Sequence, residues 1–137
     1  MNLKIGLLAL TLLPLAAPAL ADNHVVLVGT SDGTNTALAY FPPTTNVLVG
    51  DTVTFTQVHG FHNAASDPGA PFAFRCPNGT CGADGGGAGG TWTFDVVIPP
   101  AAAHQTINFH CDVHGAGVMS GSLAVTNPVD LQSFSID

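Results

Sequence analysis

The sequence predicts an all-β fold, a Greek-key sandwich of about eight strands. Three observations carry this. Short runs rich in Val, Ile, Thr, Phe and Tyr recur along the chain, and such residues fit a pleated, half-buried surface. Gly, Pro and Asn-Gly or Asp-Gly pairs punctuate those runs as turns. Beyond Ala21 no stretch carries a helical hydrophobic period.

The first residues stand apart from that pattern. Met1-Asn2-Leu3-Lys4 is a short basic start, residues 5–15 are apolar, and Ala19-Leu20-Ala21 is a small-residue cleavage box. This is the pattern of a secretory signal peptide over 1–21. The apolar run is short for a bilayer, and no later segment is long enough to span one. Residues 22–137 then form a single domain of 116 residues, enough for one sandwich core. The location implied is periplasmic or secreted.

Strands are expected over 25–28, over 36–41 up to Pro42-Pro43, and over 46–49. Gly50-Asp51 turns the chain into a strand over 52–58, where Val53 and Phe55 share one face and the threonines the other. Residues 63–90 are the least regular part, with a short strand over 72–75. Gly82 to Gly90 holds six Gly in nine residues. Without a Lys or a strand-to-helix setting it reads as a flexible surface loop, not a phosphate cradle. Strands follow over 91–97, with Trp92 and Phe94 on one face, then over 104–110 and 122–126. A short C-terminal tail runs from about Asn127.

Charge narrows the partners. After residues 1–21 the chain keeps nine Asp, no Glu and one Arg, a formal net charge of −8. Binding to nucleic acid, which requires Lys and Arg to neutralise phosphate, is excluded as a function class. A partner with a basic docking surface fits by electrostatic steering.

The three cysteines divide into a pair and a single thiol. Cys76 and Cys81 flank Pro77-Asn78-Gly79-Thr80, whose Asn-Gly turn can bring the two sulfurs opposite each other. In an oxidising compartment that pair is expected to form a disulfide. Closing so short a loop contributes roughly 2 kcal/mol in the chain-entropy account. Cys111 is left over, and an unpaired thiol in an exported protein asks for a reason.

A metal supplies one. Cys111, His114 and Met119 lie in the order C-x2-H-x4-M, in a Gly-containing loop between the last two strands. A thiolate, an imidazole and a thioether are the donors of a type 1 copper site, which needs two His and one Cys near a plane with a weak axial Met. Met119 is the only Met left beyond the signal segment. The second His has to come from His59-Gly60-Phe61-His62-Asn63. Positions three apart in a strand face opposite sides, so His59 and His62 do not both reach one ion. His110 is expected to face away from Cys111, and His24 and His104 to lie at the surface.

Taken together, Gly50-Asp51-Thr52-Val53-Thr54-Phe55, the His62-Asn63 pair, the spacing of Cys111, His114 and Met119, and the Gly121-x-Leu123-x-Val125 strand resemble the small blue copper proteins, or cupredoxins. The resemblance is greatest to their plastocyanin and pseudoazurin branch and spans roughly residues 25–126. It implies that His62, directly before an Asn, is the second histidine ligand. It also implies that Asn63 positions the ligand loop and tunes the thiolate, and that His114 presents its ring edge through an apolar patch around Gly115, Ala116, Gly117 and Val118. One departure stands out. Asp112-Val113 occupies the place of a Ser-Pro or Thr-Pro pair, so Asp112 sets a negative charge beside the thiolate, which favours Cu(II) and lowers the potential.

The function implied is an exported one-electron carrier with a single type 1 copper, passing electrons to a redox protein as a monomer. A copper enzyme would need a further histidine cluster and substrate space, and 116 residues with four other scattered histidines offer neither. The remaining alternative is copper delivery, storage or sensing without electron shuttling.

Overall fold

The computed structural model describes residues 20–76 and 87–126. Most of the expected signal peptide, Cys81 with its expected bridge to Cys76, and the expected tail from Asn127 lie outside the described residues.

Ten strands are present among the described residues, four of them only two residues long. They are β1 (Asn23–Val28), β2 (Tyr40–Phe41), β3 (Thr44–Leu48), β4 (Thr52–Gln57), β5 (Phe61–His62), β6 (Ala65–Ser66), β7 (Ala88–Gly89), β8 (Thr93–Val97), β9 (Thr106–His110) and β10 (Ser120–Thr126). One four-stranded sheet has the order β2-β1-β4-β8, and the other β3-β10-β9-β6. Each sheet contains one parallel pair, β1 with β4 and β3 with β10. A third ribbon joins β5 to β7. The only helical turn among the described residues is a 3-10 turn at Pro100–Ala102.

Alternation along the strands builds the core. Val26, Val28, Val53, Phe55 and Val96 point inward from the first sheet, and Val47, Ile107, Phe109, Leu123 and Val125 from the second. Phe109 meets Tyr40 and Phe55 across the interlayer with ring centroids 4.8 and 5.1 Å apart, both edge-to-face. Such pairs add about 0.5–1.5 kcal/mol each beyond the area they bury. They fix the end of β9 that delivers Cys111.

Two expected elements differ. The strand expected over 36–41 shrinks to Tyr40–Phe41. The preceding loop takes its hydrogen bonds elsewhere: Ser31 N–H donates to Asn35 Oδ1 at 3.0 Å, Asn35 N–H to Asp32 Oδ1 at 2.8 Å, and Ala37 N–H to the Gly29 carbonyl at 2.9 Å. Short polar side chains that satisfy backbone groups compete with a sheet ladder. The segment 72–75 is likewise a single bridge from Arg75 to Ala65, not a strand. The end of the Gly-rich run is ordered into β7 and is no loose loop there. Phe61 pairs with Gly89 and His62 with Ala88.

Candidate metal centre

The β9–β10 hairpin carries one half of the site. His110 faces Ser120 across the pair, and residues 111–119 form the loop between them. Cys111 N–H donates to the Met119 carbonyl at 3.1 Å, while Gly115 N–H donates back to the Cys111 carbonyl at 2.8 Å. Val118 and Met119 N–H groups both donate to the Gly115 carbonyl at 3.1 Å. Gly115 has φ +76°, a left-handed conformation open to glycine at no steric cost. The loop is thus a closed set of turns that leaves Cys111 and His114 on its inner side.

His62 arrives from the other half. The Gln57 side chain ties it down: His62 N–H donates to Gln57 Oε1 at 3.0 Å, and Gln57 Nε2 donates to the carbonyls of Ala88 at 2.7 Å and Gly90 at 2.5 Å. The backbone entering β7 lies so close to His62 that a Cβ at Gly87 would stand 2.7 Å from the His62 nitrogen. The glycine run therefore lets a backbone lie directly against the His62 segment.

These constraints bring three donor atoms together. Cys111 Sγ lies 3.5 Å from His114 Nδ1 and 3.9 Å from His62 Nδ1, and the two Nδ1 atoms are 3.2 Å apart. A triangle of these sides has its centre about 2 Å from every corner, close to metal–imidazole and metal–thiolate bond lengths of about 2.0–2.3 Å. The residues fit a bound metal ion. Burial, and then the charge of His114 beside it, hold the His62 imidazole below its usual pKa, favouring the neutral ring that a ligand must be. Cys111 and Met119 are fully buried, and His62 is 2 % exposed. Cys111 is the free cysteine among the described residues.

Around the donors, Asn63 joins the two halves. Asp112 N–H donates to Asn63 Oδ1 at 2.8 Å, and Asn63 Nδ2 donates to Asp112 Oδ2 at 2.5 Å. The buried Tyr40 hydroxyl donates to the Asn63 carbonyl at 2.7 Å. Burial and the neighbouring Cys111 and Asp112 charges push the Tyr40 phenol far up, so it remains a donor.

The other histidines separate from the site. His59 is half-buried and is no part of the donor triangle. His110 Nδ1 lies 2.5 Å from Asp67 Oδ1, on the side of its strand away from Cys111. His104 is exposed. His24 is no idle surface residue, for its Nε2 lies 2.8 Å from Asp51 Oδ2. At the outer edge of the site a shallow cavity is lined by Leu38, Phe61, Val113 and His114, among others. Leu38, Phe61, Val113 and Val118 are 50, 53, 42 and 60 % exposed.

Sequence reasoning missed Gln57, Arg75, Leu38 and Phe61. Gln57 had a signal: it continues the inward alternation Val53, Phe55, Gln57, and a polar residue at a core position needs partners. Arg75, whose guanidinium lies 2.9 Å from Asp112 Oδ2, had none beyond its rarity. Its pairing revises the expectation for Asp112, because the carboxylate beside Cys111 does not stand uncompensated.

No protein-family model matches the chain, and no curated protein matches it. Solved structures do. An oxidised amicyanin variant is 21 % identical over 74 % of this chain and 80 % of its own, with a TM-score of 0.52. A mutant plastocyanin of fern is 24 % identical over 74 % of this chain and 98 % of its own, with a TM-score of 0.51. A purple cupredoxin from Nitrosopumilus maritimus is 19 % identical over 74 % and 98 %, with a TM-score of 0.50. Identities this low speak for architecture. Two mixed sheets closed over one core, with the last hairpin at the end where β5 arrives, give this chain the cupredoxin fold.

Proposed function

We propose that the chain is an exported one-electron carrier holding one copper ion at His62, Cys111, His114 and Met119. The observation that carries the reading is the convergence of two imidazole Nδ1 atoms and one thiol within 3.9 Å, at the end of a stiff sandwich. Copper bound there supplies a one-electron couple between Cu(I) and Cu(II). Two nitrogens and a thiolate near a plane, with a thioether in reserve, are the donor set of such centres. Met119, fully buried and four residues beyond Gly115, is the proposed axial donor.

The chain's own contribution is to hold the donors still. Gln57 and the β7 ribbon fix His62, the closed turns of 111–119 fix Cys111 and His114, and Asn63 locks one half to the other. A donor set that does not rearrange adds little barrier to electron transfer. His114 is only half-buried and borders the exposed Leu38, Phe61 and Val113, so its ring edge offers a short path to a partner. The apolar surface there, together with a net charge of −8 over residues 22–137, fits a redox protein with a basic rim. Export rests on the signal-peptide pattern of residues 1–21, and a disulfide between Cys76 and Cys81 on their spacing.

The test is the visible and EPR spectrum of protein beginning at Asp22, loaded with one equivalent of Cu(II), beside Cys111→Ser. An intense thiolate-to-copper band with narrow hyperfine splitting, lost in Cys111→Ser, is expected. A pale species would overturn the assignment. A blue site with very slow electron self-exchange would move the function to copper delivery, storage or sensing.

A further inference from the structure

The irregular segment between β6 and β7 brings the chain's single arginine to the back of the proposed copper site. Phe74 is 8 % exposed and packs its ring on Phe55 and Phe109, at 5.5 and 6.1 Å between centroids. Its N–H donates to Ser66 Oγ at 3.0 Å and its carbonyl accepts from Ser66 N–H at 2.9 Å. Cys76 N–H donates to the Ala64 carbonyl at 2.9 Å. With Phe74 and Cys76 turned inward, Arg75 between them faces outward by alternation. There its Nη2 reaches Asp112 Oδ2 at 2.9 Å, the same oxygen that accepts from Asn63 Nδ2.

We infer that Arg75 is a positioning and charge-balancing residue: it neutralises Asp112 behind Cys111 and so sets how the site divides its preference between Cu(I) and Cu(II). The inference rests on the copper reading above. Asp112 is bonded to Cys111 in sequence, so its charge acts at short range on the thiolate. An unbalanced carboxylate there favours the ion of higher charge, and a guanidinium at hydrogen-bond distance cancels most of that field. The other groups facing Asp112 do less. Asn63 is neutral, and His110 Nε2 stands off at 3.6 Å while its other nitrogen is held by Asp67. The Arg75 side chain is 42 % exposed, so added salt weakens but does not erase the balance. Residues 72–76, in the least regular part of the sequence, thereby have a task. They carry one positive charge to one carboxylate, with Phe74 as the anchor.

The experiment compares wild type, Arg75→Gln, Asp112→Asn, the double variant and Arg75→Lys. Arg75→Gln is expected to lower the midpoint potential by the equivalent of about a tenfold gain in preference for Cu(II), ~59 mV for a one-electron couple. Asp112→Asn is expected to raise it by a similar amount, the double variant to return near wild type, and Arg75→Lys to recover most of the loss. A merely structural Arg75 would not give opposite shifts that cancel. A blue site whose potential is unmoved in Arg75→Gln overturns the inference. Thermal unfolding of the metal-free proteins gives a second readout. Arg75→Gln and Asp112→Asn should be non-additive there, and strict additivity overturns the pairing whether or not copper binds. If wild type itself forms no blue site, the copper reading fails and takes the redox claim with it, while the metal-free cycle still judges the ion pair.

Discussion

Asn63 and Asp112, 49 residues apart in sequence, exchange two hydrogen bonds of opposite direction, amide nitrogen to carboxylate and backbone N–H to amide oxygen. Each neighbours a donor of the triangle, Asn63 following His62 and Asp112 following Cys111. One side chain therefore spans the seam between the two halves of the site. Asn63→Ala removes the partner of the part-buried Asp112 N–H and one of the two donors to Asp112 Oδ2, which keeps Arg75. We expect a loss of about 2–4 kcal/mol in unfolding free energy, from one neutral and one charge-assisted bond. Denaturant unfolding of the metal-free protein measures it, and a loss below experimental error would refute the clamp.

Gln57 acts on His62 through the backbone. Replacing it by Leu keeps the volume and removes four hydrogen-bonding partners at once, the His62 N–H and the carbonyls of Gly60, Ala88 and Gly90. Partners that orient a metal ligand are typically worth 10–100-fold in metal affinity. Competition against a chelator should show a fall of about that size for Gln57→Leu. Affinity equal to wild type would mean that His62 is held by β7 alone.

Far from the site, Asp51 predicts how the fold responds to acid. Burial works against its carboxylate, but the N–H groups of Asp22 and Leu48 and the His24 ring outweigh it, and its pKa lies below the usual 3.8. A carboxyl whose pKa falls on folding contributes stability above its unfolded value and loses it as pH drops through the folded value. Stability should therefore decline below about pH 4, and less steeply in Asp51→Asn, which starts lower by about 1.5–3 kcal/mol. Urea midpoints across pH 2–7 test both, and parallel curves for the two proteins would count against the assignment.

Cys76 is buried at 6 % exposure where the chain leaves Ala64. We expect denatured, unreduced protein to alkylate at Cys111 alone, and to weigh two hydrogens less than the fully reduced chain. Three alkylated thiols without reduction would remove the Cys76–Cys81 bridge.

Much of this was legible in the chain because it is local. Strand alternation places Val53 and Phe55 inward without any knowledge of their neighbours. Cys111, His114 and Met119 lie within one hairpin loop, so their closeness along the chain is read directly from the spacing. His62 was legible only through the Asn after it, since nothing local distinguishes it from His59. The strand expected over 36–41 failed because composition records β preference but not the side-chain bonds of Ser31, Asp32 and Asn35 that take up the backbone groups first.

The sequence by itself determined the class of fold, the donor atoms and the presence of an odd thiol, because these follow from residue type and short spacing. Tertiary structure decided which histidine meets Cys111, that Gln57 and Gly87 hold it, and that Arg75 meets Asp112. The reason is physical. Each of these pairs forms only once the chain has folded, and a local pattern such as the inward alternation at Gln57 marks a buried polar residue without naming its partner.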